Sequence, residues 1–230
     1  MPKEYEAKFL EVDVVEIKRK LKEIGATKVH SFKPYRRVVY ELCNSAVKGY
    51  IRVRDENGKV TMTSKTYADP KFPEENEIVV ASSFEDGVNL LSSIGINKKA
   101  FHETYREKWT HPDAHEITFD IVPGLPIYTE IDCHTEEQLN KMIETLNLNK
   151  YEKRYGAYGD TFMEYYDMTH EEINQNTASL TFDNIANEIK IRKNHKMLEE
   201  IAKVYKHIKD KSKFNEMYTE FYNKLGQIKD

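Results

Sequence analysis

The amino-acid sequence predicts an α+β fold: a closed antiparallel eight-stranded β-barrel with flanking helices, followed by a helical C-terminal extension. Three observations predict it. First, a strand, helix, strands order occurs twice, and the two occurrences match at a constant offset. Leu21-Lys22-Glu23-Ile24-Gly25 falls on Leu91-Ser92-Ser93-Ile94-Gly95, and the same offset carries Tyr35-Arg36 onto Tyr105-Arg106. Such a pseudo-repeat reads as two halves of one structure, and two halves pairing would close an antiparallel barrel with helices outside. Second, the strand segments alternate charged and apolar residues with period two. Third, strand patterning stops after about Asp167, and Thr169–Asp230 shows only helical periodicity. The expected division is therefore residues 1–167 as the barrel domain and 168–230 as the helical extension.

The first strand is Tyr5 to Leu10. A helix follows from about Val14 to Ile24, with Asp13 at its N-cap, Glu16 three residues on and Gly25 at its C-terminal end. Val14, Ile17, Leu21 and Ile24 form its apolar stripe. Strand segments come next at Thr27–Phe32, Arg36–Leu42, Tyr50–Arg54 and Val60–Lys65, the last two flanking the hairpin turn Asp55-Glu56-Asn57-Gly58. After the proline-bearing loop Ala68–Pro73, Glu77–Ala81 reads as a strand. Ser83, with Asp86 three on, opens a helix ending at Gly95. Strands follow at Phe101–Trp109, Glu116–Val122 and Ile127–Cys133, and Thr135 caps a helix that runs to about Leu146 with Gln138 at the capping-box position. In the extension, Ile185, Ile189, Met197, Ile201, Val204 and Tyr205 are the expected core-facing positions.

Composition narrows the function. With 39% hydrophobic and 32% charged residues and a net charge of −4, the chain is not a general nucleic-acid binder, so an anion site must come from local arrangement of Lys and Arg. Cys43 and Cys133 lack metal-ligand spacing and form no disulfide framework, which fits a reducing, cytoplasmic setting. No apolar run is long enough for a membrane-spanning helix and no signal peptide is recognisable, so a soluble protein without a membrane segment is expected. The eight histidines show no zinc-type spacing.

The charges sort by strand. Glu4, Glu6 and Lys8 share one face of the first strand, Arg52 and Arg54 one face of another, and Thr61, Thr63 and Lys65 one face of the next. Glu75 and Glu77 repeat the acidic pair, Arg106 and Lys108 a basic pair, and Thr118 shares a face with Asp120, as Glu130 does with Asp132. The intervening residues, such as Val53, Ile78, Ile117, Phe119, Ile121 and Ile131, are mostly apolar. If helices cover the apolar face, the charged face must line the interior. Burying so many unpartnered charges would cost several kcal/mol per ion; a wet tunnel holding a polyanion and divalent cations removes that cost. Arginines suit phosphate oxygens, and clustered carboxylates suit Mg²⁺ or Mn²⁺.

In order along the chain the motifs are Glu4-x-Glu6-x-Lys8, Ile51-Arg52-Val53-Arg54, Thr63-Ser64-Lys65, Tyr105-Arg106-x-Lys108, Asp120 and Tyr128-Thr129-Glu130-Ile131-Asp132. This order and spacing resemble the CYTH superfamily, the triphosphate tunnel metalloenzymes that include class IV adenylate cyclases and thiamine triphosphatases. The resemblance spans roughly residues 3–167. It implies that Glu4, Glu6, Glu130 and Asp132 bind Mg²⁺ or Mn²⁺, with Asp120 joining them or holding a metal-bound water. It implies that Lys8, Arg52, Arg54, Lys65, Arg106 and Lys108 grip the triphosphate. Glu4, Glu6, Lys65 and Arg106 are then the expected catalytic set. The family's last acidic pair is often Glu-x-Glu; here it is Glu-x-Asp. Lys153 or Arg154 matches a late basic group only loosely, Glu75 and Glu77 could instead pair with the arginines, and Tyr35 and Tyr40 lie near a tyrosine that some hydrolytic members use to assist water attack. The implied activity is metal-dependent hydrolysis of inorganic tripolyphosphate or of a nucleoside or thiamine triphosphate. Conversion of ATP to cyclic AMP is the alternative, and a non-catalytic polyphosphate or RNA 5′-end binding module is the alternative of another class. Homodimerisation through the barrel or the C-terminal helices stays open.

Overall fold

The structure is a computed structural model that describes residues 4–44, 46–68, 71–156, 158–166, 169, 172–173, 179–183 and 185. Eight strands form one antiparallel sheet: β1 (Tyr5–Leu10), β2 (Thr27–Tyr40), β3 (Gly49–Asp55), β4 (Val60–Thr66), β5 (Glu74–Val80), β6 (Lys98–His111), β7 (Ala114–Ile121) and β8 (Tyr128–Cys133). Their spatial order is β1-β8-β7-β6-β2-β3-β4-β5. Reversing this order exchanges β1 with β5, β2 with β6, β3 with β7 and β4 with β8, so the pseudo-repeat is a twofold relation centred between β6 and β2. The two segments expected at 27–32 and 36–42 are one strand, β2, which continues through Pro34 beside a register shift between His30 and Lys33. A proline is tolerated where the ladder is already irregular.

The sheet curls into a half-barrel and is not the closed barrel expected. β1 pairs with β8 and β5 with β4, and no ladder joins β1 to β5. Among the described residues a single backbone bond, Glu4 N–H to the Pro73 carbonyl at 3.0 Å, bridges the two edges. Both edges carry carboxylates inward, Glu4 and Glu6 on one side and Glu75 and Glu77 on the other, and facing like charges disfavour pairing.

The convex face is apolar and holds the helices α1 (Val14–Glu23), α2 (Phe84–Ser93) and α3 (Glu136–Thr145), whereas the short α4 (Gly159–Tyr165) begins on the concave side with Gly159 and Asp160 and buries Phe162 and Tyr165 in the core. Asp13, Ser83 and Thr135 cap the first three as expected, each accepting from a backbone N–H three residues on. Gly25 and Gly95 end α1 and α2 at φ of 78° and 81°. Ile17 and Leu21 of α1 and Leu139, Met142 and Ile143 of α3 pack with Ala7, Phe9, Ile117, Phe119 and Ile131 in the larger core. Phe84 and Leu91 of α2 pack with Val38, Tyr40, Val53 and Val60 in a second cluster. An ion pair crosses the apolar layer: Lys18 Nζ reaches Glu107 at 2.8 Å, and Trp109 donates to the same carboxylate at 2.8 Å.

Strand structure also continues past Asp167, against expectation. β9 (Ser179–Leu180) lies parallel to β6, opposite Phe101 and His102. Ile173, Leu180, Phe182 and Ile185 are buried in the larger core. The positions Ile189, Met197, Ile201, Val204 and Tyr205 lie outside the described residues. Among the described residues no helix is long and apolar enough to cross a membrane.

Candidate functional site

The strand register assembles the site. Antiparallel pairing puts Glu6 of β1 opposite Asp132 of β8, and Asp132 opposite Glu116 of β7. The next inward row is Lys8, Glu130, Thr118 and Lys108, and the one after joins Tyr128, Asp120 and Arg106. In the other half Arg37 faces Arg54, Tyr50 faces Lys65, Lys65 faces Glu75, and Arg52 and Thr63 lead to Glu77. These residues line the concave face, which encloses a cavity of about 330 Å³. Glu4, Glu6, Lys8, Arg52, Arg54, Lys65, Arg106, Glu130 and Asp132 all reach it. The expectation that the charged face lines the interior is met.

Two expected residues stand apart. Asp120 lies beneath Arg106, whose Nε reaches it at 2.7 Å, and accepts from Thr118 at 2.6 Å; it lines a small neighbouring cavity. Lys108 pairs with Glu116 and does not line the main cavity. Of the looser candidates, Arg154 is held by Glu152 and Glu164 at the surface and Lys153 bonds Asn140. Tyr40 is fully buried, its hydroxyl donating to the Val88 carbonyl at 3.2 Å. Tyr35 packs between the Arg54 and Arg106 guanidinium groups, 5.9 Å from each.

The cavity has a basic side and an acidic end. Arg106 spans Asp120, Glu116 at 3.0 Å and Glu130 at 3.1 Å. Arg52 reaches Glu75 at 3.3 Å and Glu77 at 3.5 Å, and Arg54 shares Glu77 at 3.3 Å. Arg37 makes no ion pair among the described residues, and its buried Nε, like that of Arg54, has no hydrogen-bond partner. Buried guanidinium donors left unmatched are a place for an anion's oxygens. Although burial opposes their charge, Glu116 is held down at about 2 by Arg106 and Lys108, and Glu130 at about 2 by Lys8 and Arg106.

At the acidic end one ammonium faces three carboxylates. Lys65 contacts Glu4, Glu6 at 2.9 Å and Glu75 at 3.7 Å. Asp132 sits across the strand from Glu6 with its Oδ1 buried and unpartnered. Burial, with Glu6 and Glu75 nearby, pushes Glu4 up to about 8 despite Lys65; burial with Glu6 and Glu116 pushes Asp132 up to about 8. Among the described residues no three acidic, histidine or cysteine side chains stand in finished metal-holding geometry. The excess of carboxylate over ammonium and the orphaned Asp132 oxygen nevertheless fit a hard divalent cation.

Sequence reasoning did not single out Arg37, Tyr50, Tyr67, His102, Glu116 or Tyr158, all of which line the cavity. Glu116 shares strand parity with Asp120, and His102 with Arg106, so alternation could have found both. Arg37 was hidden by the repeat itself. The helices start at matching positions, Val14 against Phe84, whereas β6 starts at Lys98, one position later relative to Thr27 of β2 than the helix offset gives. A one-residue slip exchanges faces. Arg36 therefore points outward to Asp55 and Glu85, both at 3.1 Å, and Arg37 points in. Tyr158 enters from the segment before α4 and carries no strand pattern.

No family model and no curated protein matches the sequence. Solved structures do match. PH1012 from Pyrococcus horikoshii OT3 is 23% identical, with a TM-score of 0.53 over 65% of this chain and 94% of that one. PH1819 from the same organism is 22% identical, with a TM-score of 0.54 over 70% and 98%. A candidate adenylate cyclase of Vibrio parahaemolyticus is 14% identical, with a TM-score of 0.56 over 70% and 98%. The neighbours are matched nearly whole, while about a third of this chain lies outside the match. At these identities the likeness is one of fold.

Proposed function

We propose that this chain, which has the CYTH-type fold, is a divalent-metal-dependent hydrolase of triphosphate-containing substrates. The observation that carries the reading is the division of one cavity into an arginine-rich side with unmatched guanidinium donors and an end where carboxylates outnumber the single lysine. A polyphosphate alone would be repelled by the carboxylates, and a cation alone by the arginines. A metal-bound triphosphate satisfies both.

In this reading Arg37, Arg52, Arg54 and Arg106 bind phosphoryl oxygens, and Lys8 and Lys65 complete the basic set. Glu4, Glu6, Asp132 and Glu130 would hold Mg²⁺ or Mn²⁺, which when bound supplies charge neutralisation and Lewis acidity. The ion pairs of the cavity wall keep the side chains in place for substrate. Arg52 then exchanges Glu75 and Glu77 for phosphate, and Arg106 exchanges Glu130. Catalysis is mainly alignment of one phosphoanhydride and fixed positive charge at oxygens where negative charge develops. Asp120, buried under Arg106, sets the direction of that guanidinium.

The test is a panel of inorganic tripolyphosphate, ATP, thiamine triphosphate and 5′-triphosphorylated RNA, with Mg²⁺ and with Mn²⁺, scored for phosphate release and for cyclic nucleotide. Metal-dependent phosphate release is expected, with Arg52→Ala lowering kcat/KM about 10²- to 10³-fold, the effect of losing one oxyanion donor. Cyclic AMP with pyrophosphate would replace the hydrolase reading by a cyclase. Binding without turnover would replace it by a polyphosphate-binding module. Turnover in excess chelator would end the metal-dependent reading.

A further inference from the structure

A chain of hydrogen bonds in the cavity wall links Arg37 to two residues not yet given a role, Tyr158 and His102. Arg37 of β2 and His102 of β6 are cross-strand partners, and both line the cavity. Tyr158 inserts its ring beside them, 5.8 Å from the His102 ring and 4.8 Å from the Arg37 guanidinium carbon. Arg37 Nη2 donates to the Tyr158 hydroxyl oxygen, which lies 2.6 Å from His102 Nδ1.

The direction of this chain follows from its first member. A guanidinium only donates. The Tyr158 oxygen accepts from it, and the tyrosine proton then goes to His102 Nδ1. Among the described residues that hydroxyl has no other acceptor. Nδ1 is therefore the acceptor nitrogen, and a neutral imidazole carries its proton on Nε2. Burial and the neighbouring Arg37 hold His102 well below its ordinary pKa, which keeps it neutral. His102 is 4% exposed, and its Nε2 is buried with no partner. The opposite tautomer would strand the Tyr158 O–H as well.

We propose that His102 is a further phosphate-binding residue: its Nε2–H, held in that tautomer by Arg37 acting through Tyr158, donates to a phosphoryl oxygen in the cavity. The inference rests on the triphosphate reading. A neutral ring donor adds direction beside the guanidinium and ammonium groups of the wall. Tyr158 is a positioning residue, and Arg37 serves both the chain and the anion.

The experiment combines ¹⁵N NMR of histidine-labelled protein with calorimetric titration of inorganic imidotriphosphate, a nitrogen-bridged triphosphate, in Mg²⁺. In wild type, His102 is expected with its proton on Nε2, and that nitrogen's signal is expected to move on titration. His102→Leu is expected to weaken binding about 10-fold or more, the effect of losing a hydrogen bond to a charged group. His102→Gln, which keeps an N–H near the same place, is expected to restore most of it. Tyr158→Phe is expected to mix the two tautomers. A wild-type proton on Nδ1, or unchanged affinity in a folded His102→Leu, overturns this inference alone. Failure of wild type to bind imidotriphosphate overturns the triphosphate reading, and this inference with it. Should His102→Leu not fold, the wild-type tautomer and the His102→Gln affinity decide.

Discussion

At the scale of single residues, the acidic end of the cavity makes a prediction about pH. Glu4 and Asp132 are pushed up to about 8, so in the metal-free folded protein they carry protons at pH 7 that the unfolded chain has released. A group whose folded pKa is raised contributes stability that is complete below its unfolded pKa and is lost as pH rises through the folded value. His102, lowered by burial and Arg37, has the opposite sign, but its effect is confined below the ordinary histidine range. Glu116 and Glu130, held at about 2, contribute stability that is lost only as pH falls from the ordinary carboxylate range toward the folded value, well below this window. The expected outcome is a melting temperature that falls between pH 6.5 and 8.5 in chelator. Excess Mg²⁺ should remove the slope, as should the pair Glu4→Gln and Asp132→Asn. A flat profile in chelator would contradict the excess of carboxylate at that end. Most of these residues were legible in the sequence because strand parity alone says which side chains share a face. What parity could not supply was the partner: that Glu4, Glu6 and Glu75 share one lysine depends on how closely two strand edges approach.

At the scale of elements, α2 meets β3 at Gly87. A Cβ built there would lie 2.9 Å from Val53 Cγ1, a fully buried atom on a β-branched side chain with little rotamer freedom. Alanine is the better helix former by about 1 kcal/mol, yet overpacking of this kind costs about 1–3 kcal/mol. Gly87→Ala is expected to destabilise by about 1 kcal/mol in urea unfolding, and the combination with Val53→Ala is expected to be milder than the sum of the two. Strict additivity would show that the helix does not press on this strand. The consequence reaches the site, since Val53 separates Arg52 from Arg54. The caps of α1, α2 and α3 were legible because capping is a local contest over orphaned N–H groups. The turn Asp55-Glu56-Asn57-Gly58 was legible for a related reason: Asn57 and Gly58 adopt φ of 59° and 108°, which these residue types tolerate. The β9 pairing was not legible, because two residues, Ser179 and Leu180, are too few to carry a period.

At the scale of the whole molecule, the region after Asp167 contributes to the same core as the sheet. Ile173, Leu180 and Ile185 are fully buried and Phe182 is 2% exposed. Each such side chain contributes about 1.5–3 kcal/mol when fully buried, and their sum approaches the whole stability of an ordinary domain, about 5–15 kcal/mol. A chain ending at Asp167 is therefore expected to lose cooperative unfolding, or to melt far below the full chain in calorimetry. Equal melting temperatures would show that these residues add nothing to the core. The pseudo-twofold order of the sheet also divides the charge: Arg52, Arg54 and Lys65 lie on β3 and β4, and Glu116, Asp120, Glu130 and Asp132 on their counterparts β7 and β8. The repeat supplies a symmetric frame, and the side chains make the cavity's two sides electrically different.

Residue order alone dictates which positions alternate, where helices start and stop, and that one face of most strands is charged and the other apolar. These are local properties, governed by the period of the backbone and the chemistry of its caps. The tertiary structure alone decided that the sheet stays open between β1 and β5, that Arg37 rather than Arg36 enters the cavity, and that Tyr158 and His102 meet there. Those outcomes depend on register, on like charges facing across an edge, and on contacts between residues far apart in the chain, none of which a period can encode.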